Sequence, residues 1–501
     1  MAGDYHRLPL PATSPLWCIL GFLRDASHSG LNGPSASPQQ LNNSGTLMSP
    51  DTARISEIID RARISPYQIL ILTLCFLIAL LDGFDTAIIG YIAPALREEW
   101  GLHPAQLSPA FGAGLFGLLL GSLLFGSLLF GPIADAIGRK RVLLVAVLVF
   151  GGCTLASAYT QSIESLTLLR FITGIGLGGA IPTCITLSSE YSPARRRMLM
   201  VTLSWSGFTA GLALGGLLAG QIIPAFGWRG VLLVGGIAPL ALLPLLAWQM
   251  PESVRFMATN AKHADRLRRV VERITGRRWT GGTIVDDERP AQAKSPISHL
   301  FIEGRAVRTL LLWAAFFCSL FVFYLLTSWL PTILKDAGYD IAHASRIGAM
   351  VPLGGTLGAI LMALLMDRVG PYRVLAVSYL GAALVIGATG YLMGDVYTLA
   401  AVVFLIGFGV AGAQNGLNLV SATLYPTAAR VTGVSWAMAN GRFGSIVGSM
   451  LGAWMMTAAG SAEAFFLWLA LPALLGAVAI FLLYRLSPRH RSPRAEPAAG
   501  T

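Results

Sequence analysis

Two carboxylates stand where a carboxylate is costly. Asp82 and Asp85 lie halfway along an otherwise apolar run from Tyr67 to Leu96. Such a run is long enough to cross a bilayer, which takes roughly 20 apolar residues. At that depth a charge costs about 3 kcal/mol on insertion scales. Folding the helix does not require that cost. The two residues are three apart, so on a helix they share a face. Two carboxylates in a low-dielectric cavity cannot both ionise cheaply. The pair is therefore expected to take up a proton on one side and release it on the other; the alternative is a hydrated structural pair. Which of the two carries the proton is open at this stage.

Other polar residues in apolar runs are candidates for the same site. Arg442 lies near mid-depth of a late run, where a guanidinium can grip a carboxylate bidentately. Its alternative role is a structural ion pair with Asp82 or Asp85. Arg170 enters its run near one end and either snorkels to the surface or guides anions inward. Glu190, beside Arg195–Arg197, reads as a gating or capping partner. Gln414, Asn415 and Asn418 stand at mid-depth and need helix partners or a wet cavity.

The elements that would hold these groups are membrane helices. Hydrophobic residues make up 54% of the 501 and charged residues 12%, half the roughly 25% of a soluble chain. Mean hydropathy is +0.65. Apolar runs fall at about 68–93, 107–131, 142–160, 165–189, 199–223 and 229–250, then at 307–331, 347–366, 373–393, 397–423, 432–457 and 463–485. These twelve spans predict an all-α membrane protein of two pseudo-symmetric six-helix halves. The expected divisions are a disordered extension over 1–50, an N-terminal half over 51–250, a basic cytoplasmic linker over 251–306, a C-terminal half over 307–485 and a tail over 486–501. Met48 is a second candidate start, which leaves translation of residues 1–47 open. Residues 261–274 have partial helical periodicity and read either as a membrane-surface helix or as a solvated linker.

The net charge of +11 would suggest nucleic acid in a soluble chain. Here it is gathered in the loops after even-numbered spans, including Arg139-Lys140-Arg141 and Arg195–Arg197. The positive-inside rule then places both termini and the central loop in the cytoplasm, so no nucleic-acid partner is expected. The five cysteines form no ligand spacing and read as small buried hydrophobes. No metal, no cofactor and no enzymatic centre are expected.

The halves repeat. Asp135, Gly138, Arg139 and Arg141 follow span 2, and Asp367, Gly370 and Arg373 follow span 8, with Asp, Gly at +3 and Arg at +6 in both. Repeated halves with substrate held between them are a common transporter plan. Glycines spaced by four recur in every third span: Gly117 and Gly121, Gly207 to Gly215, Gly354 and Gly358, Gly444 to Gly452. Such rows let backbones approach. They are expected to line the contact between halves, with packing inside each half as the alternative. Gly174–Gly179 imitates a dinucleotide loop without the strand such a loop needs.

Together these features resemble the major facilitator superfamily. The finer resemblance is to its aromatic acid:proton symporter family, transporters of 4-hydroxybenzoate and protocatechuate. It is carried by Asp82-Gly83-Phe84-Asp85, by Leu187–Tyr191, by Phe323–Pro331 and by Asn440–Gly444. The resemblance implies that Asp135 bonds a neighbouring helix end and a nearby Arg as a cytoplasmic latch; Gly138, Arg139 and Arg141 belong to its loop motif, which Asp367 and Arg373 echo, and Glu190 is grouped with them as a gating candidate from its own position. Ala136 departs from the motif, where a basic residue is usual. An aromatic substrate wants flat apolar walls with a few polar tips, and Tyr324 is the residue expected to line such a cavity.

The reading is a proton-coupled importer of aromatic carboxylates in the bacterial inner membrane, working by alternating access. Its partners are the substrate, protons and the bilayer. The oligomeric state is open, a monomer being sufficient. Rivals are a facilitator of a sugar, an aliphatic carboxylate or a drug, and a membrane sensor of aromatic acids.

Overall fold

Each apolar run folds as a helix, and local caps set where several begin. The computed structural model describes residues 52–126, 137–259, 261–279, 282–285, 297–302 and 304–486. A short α1 (Ile55–Arg61) precedes α2 (Pro66–Trp100). Ser65 and Gln68 form a reciprocal capping box at the start of α2, and Gly101, at φ 62°, ends it. Then come α3 (Pro104–Gly126), α4 (Arg139–Ser157), α5 (Ile163–Glu190) and α6 (Arg197–Gln249). Ser162 caps α5 by accepting from the Ser165 N–H. After the central stretch, with α7 (Val254–Thr259) and α8 (Ala264–Thr275), the C-terminal half begins at α9 (Ala306–Asp336). It continues through α10 (Ile341–Gly348), α11 (Met350–Val369), α12 (Pro371–Thr389), α13 (Val396–Val410), α14 (Gln414–Leu424), α15 (Thr427–Ala459) and α16 (Ala462–Leu486).

Ten segments of the described residues are long and apolar enough to cross a membrane. One of them covers residues 194–259 and contains α6, which breaks at Gly227, where φ is 69° and ψ 178°. The two arms of α6 are two crossings. The 33-residue α15 carries Asn440, Arg442, Ser445 and Ser449 and is not among the ten, yet it is long enough to cross. Counting it, the bundle has twelve crossings, six in each half. The repeat is also visible in packing. Helix α2 lies along α6 and α3 along α5; in the second half α9 lies along α15 and α11 along α13.

The glycine rows serve this packing inside each half, not the contact between halves. A Cβ on Gly211 would come within 1.9 Å of the Leu80 carbonyl oxygen of α2, and one on Gly117 within 2.1 Å of the Phe171 oxygen of α5. In the other half Gly354 meets Phe404 of α13, and Gly444 meets Phe317 of α9. A continuous small-residue groove interlocks two backbones over several turns. That suits helices that move together and not surfaces that must slide.

The halves meet through α2 and α6 against α9, α10 and α11, and through α3 against α15. Gly90 faces the backbone of Thr327 and Ser328, Gly216 the Ser345 oxygen, and Phe111 packs edge-on to Trp329 at 4.9 Å. These contacts gather toward the end where α2 and α9 finish, here called the sealed end. The opposite, basic end carries Arg139 and Arg195–Arg197. There α8 buries Leu267, Val270, Val271 and Ile274 in a cluster with Ile55, Ile59, Met250 and Met257. Its apolar face is therefore packed on protein, while Arg266, Arg268 and Arg269 point outward. The expected extension over 1–50, part of the linker and most of the tail lie outside the described residues.

The packing makes a graded prediction. Gly211→Ala puts a methyl group on the Leu80 carbonyl and should lower the melting midpoint in detergent, at a cost of about 1–3 kcal/mol. Gly152→Ala, with nothing within 4 Å of the new carbon, should leave the midpoint unchanged.

Candidate functional site

Helix α2 carries both aspartates into the interior. Asp82 is 0% and Asp85 2% exposed. One helical step separates their environments.

Asp85 faces α4 and α5. The Arg170 guanidinium approaches both of its carboxylate oxygens through Nη1 at 3.3 Å. Thr154 donates its hydroxyl to Asp85 Oδ1. The other end of the guanidinium, Nη2, donates to Thr154 Oγ1 at 3.0 Å and to Ser157 Oγ at 3.2 Å. Arg170 is 3% exposed, so it does not snorkel to the surface; it is drawn inward by the carboxylate. Thr154 and Ser157 were not singled out in the sequence. Their signal was two hydroxyls three apart in span 3, a pattern that more commonly bonds its own helix backbone. A narrow cleft between α2, α3 and α5 reaches this cluster, with Asp85, Thr86, Phe111 and Arg170 in its wall.

Asp82 has much less. Thr86, one turn along α2, donates to Oδ1 at 3.3 Å. Oδ2 is buried without a hydrogen-bond partner among the described residues. Arg442 and Tyr324, from the other half, lie within electrostatic reach of Asp82. Arg442 makes no ion pair within 4 Å among the described residues and donates to the Ser122 hydroxyl of α3. The structural pair considered for it is thus not formed: Asp85 is taken by Arg170. Arg442 is half-buried at the seam between α15 and α3.

Tyr324 is half-buried, its ring edge-on to Phe323 at 5.3 Å. Gln414 accepts from Ser319 at 2.9 Å, and Ser319 accepts from Tyr379 at 2.8 Å. This chain fixes the Gln414 amide within the C-terminal half. Asn418 Oδ1 is buried without a partner among the described residues, whereas Asn415 is exposed. The three amides are therefore not one cluster.

The residues expected to gate lie at the basic end. Gly138, at φ 100°, begins α4, and a Cβ there would come within 2.3 Å of Glu252 Oε2. Glu252 accepts from the Lys140 N–H at 2.9 Å. Glu190 pairs with Arg139, lies 3.9 Å from Arg255 Nε and accepts from the Ser253 hydroxyl at 2.6 Å. Glu252, Ser253 and Arg255, at the start of the stretch that follows span 6, thus belong to this network. Arg141 and Asp367 are exposed, and Arg373 donates to the Tyr484 hydroxyl at 3.2 Å. Gly370, at φ 93°, repeats the turn of Gly138 in the other half. Asp135 lies outside the described residues.

The family model of the Major Facilitator Superfamily matches residues 75–386 and, in a second match, 341–501. The chain belongs to that superfamily. Among curated relatives, a gallate transporter of Pseudomonas putida is 43% identical over 444 residues, which covers 89% of this chain and 97% of the relative. The 4-hydroxybenzoate transporter PcaK of Pseudomonas aeruginosa is 40% identical over 442 residues, covering 88% and 98%. Among solved structures, the xylose transporter XylE from E. coli, in a partially occluded inward-open form, superposes with a TM-score of 0.65 at 18% identity, covering 85% of this chain and 99% of that one. This facilitator is a multi-pass membrane protein and a transporter, not an enzyme.

The unequal surroundings of the two aspartates give a stability test. Asp85→Asn strands a buried guanidinium and should cost about 3 kcal/mol, read as a lower melting midpoint. Asp85→Asn with Arg170→Gln should recover part of the loss. Asp82→Asn should leave the midpoint unchanged or raise it. Equal losses for the two Asn variants would contradict the assignment.

Proposed function

We propose that the protein is a proton-coupled importer of aromatic carboxylates such as 4-hydroxybenzoate, protocatechuate or gallate, in the bacterial inner membrane with both termini cytoplasmic. The cargo class rests on one observation: relatives at 40–43% identity over nearly their whole length are named gallate and 4-hydroxybenzoate transporters. The geometry supports the same class. Arg442 offers a guanidinium at the seam of the two halves with no carboxylate among the described residues bound to it, and Tyr324 offers a ring with a polar tip. The orientation follows from the charge in the loops after even-numbered spans.

Coupling is assigned to Asp82. A buried carboxylate oxygen without a donor is stable only when the group is neutral. Asp82 therefore carries the proton, while Asp85 is held in the grip of Arg170. Loading and unloading Asp82 changes the charge facing Arg442 across the seam. A substrate carboxylate on Arg442 and a proton on Asp82 together leave the seam no more charged than before. In that loaded condition the halves can rock past each other.

In proteoliposomes with an imposed inward proton gradient, labelled 4-hydroxybenzoate should accumulate, and a protonophore should abolish the accumulation. Asp82→Asn should lose at least about tenfold in gradient-driven accumulation while retaining exchange of internal for external substrate. A competition panel of substituted benzoates ranks the ring substituents. Uptake of a sugar with none of an aromatic acid would sink the cargo. Accumulation by Asp82→Asn equal to that of the native chain would sink the coupling.

A further inference from the structure

The sealed end is held by charges that cross between the halves in matched order. At the end of α2, Arg97 and Glu98 stand side by side; at the end of α9, Lys335 and Asp336 do. Arg97 donates to Asp336 through both terminal nitrogens, Nη1 to Oδ2 at 2.9 Å and Nη2 to Oδ1 at 2.6 Å. Lys335 Nζ lies 3.8 Å from Glu98 Oε2. Plus beside minus on one half thus faces minus beside plus on the other.

The next residue, Glu99, is occupied within its own half. It accepts from the Trp228 indole and from Arg229, each at 2.6 Å. That bond ties the end of α2 to the second arm of α6 and turns Arg97 and Glu98 toward α9. Directly beneath, Gly90 lies against the backbone of Thr327 and Ser328. Thr327, nine residues before Asp336 on α9, is 7% exposed.

We propose that the crossed pairs Arg97–Asp336 and Glu98–Lys335 are the latch of the outer gate, closed in this structure and broken each time the outer side opens. The bidentate pair is the principal element, because a guanidinium fork fixes the carboxylate in direction as well as distance. The second pair, longer and with Glu98 69% exposed, sets the register. An exposed pair contributes little to folding. It can still govern a transporter, because the two states share one fold and a small difference between them shifts their populations. The inference rests on the alternating-access reading and not on the cargo.

The test needs no substrate. Thr327→Cys is introduced into the full chain in proteoliposomes of outside-out orientation, and a membrane-impermeant maleimide is added outside. With the latch intact, labelling should be slow. Arg97→Gln with Glu98→Gln should speed it about fivefold, the scale of an exposed pair. Charge reversal by Arg97→Asp alone should speed it further. The swap, Arg97→Asp with Asp336→Arg, should return it to within about twofold of the intact chain. Labelling that ignores neutralisation and reversal would overturn the latch. So would a swap as fast as the single reversal, which would mean that the mutations merely loosen the bundle. Failure of aromatic-acid uptake, by contrast, would touch only the cargo.

Discussion

The ion pair between Asp85 and Arg170 is the interaction on which the rest of the molecule depends. A carboxylate buried in an apolar helix needs a cation, several hydrogen-bond donors or a proton. Asp85 has the first two, from Arg170 and Thr154. The far end of the Arg170 guanidinium, Nη2, is in turn bonded to the hydroxyls of Thr154 and Ser157. Three helices, α2, α4 and α5, are joined at one polar point. Among the described residues the close guanidinium on that side is taken by Asp85, and Asp82, one turn away, has only the Thr86 hydroxyl as donor, which is why the proton is proposed for it. The two residues form one motif in sequence and have two roles in space.

A division of labour in packing follows the division into halves. Inside a half, small residues bring backbones together over long stretches, as Gly207 and Gly211 do against α2. Between halves isolated close approaches, such as Gly90 against Thr327, are joined by polar fastenings that can be undone. One is the hydroxyl of Ser122 under Arg442; another is the pairing of Arg97 with Asp336. Apolar interlock resists sliding because its contacts are lost all at once. Charges and hydroxyls can exchange one partner for another, or for water, with a small net change. A structure that rocks between two states needs the first inside its moving bodies and the second between them.

Much of this was legible in the chain. The twelve spans follow from hydropathy and length, and the importance of Asp82 and Asp85 follows from their cost at mid-depth. Glu190 stands among arginines in sequence and also in space. What the chain concealed was mostly partnership. Arg170 sits seven residues into α5, a depth at which snorkelling and burial are both open; its carboxylate is 85 residues away in sequence. Thr154 and Ser157 gave only the weak signal of two hydroxyls three apart, because a hydroxyl in a membrane helix normally bonds its own backbone. The glycine rows were read for the wrong surface, since spacing reports close approach and not which neighbour approaches. Gln414, Asn415 and Asn418 share a segment, yet one is tied to Ser319, one is exposed and one has a buried oxygen without a partner among the described residues.

The most direct measurement is the movement of protons themselves. Unlabelled 4-hydroxybenzoate is added to lightly buffered proteoliposomes and the external pH is followed. The native chain should make the outside more alkaline as substrate enters, and Asp82→Asn should not, although its Asp85 and Arg170 are intact. Proton uptake by Asp82→Asn equal to that of the native chain, or substrate entry into native vesicles with no proton movement, would contradict the assignment of Asp82.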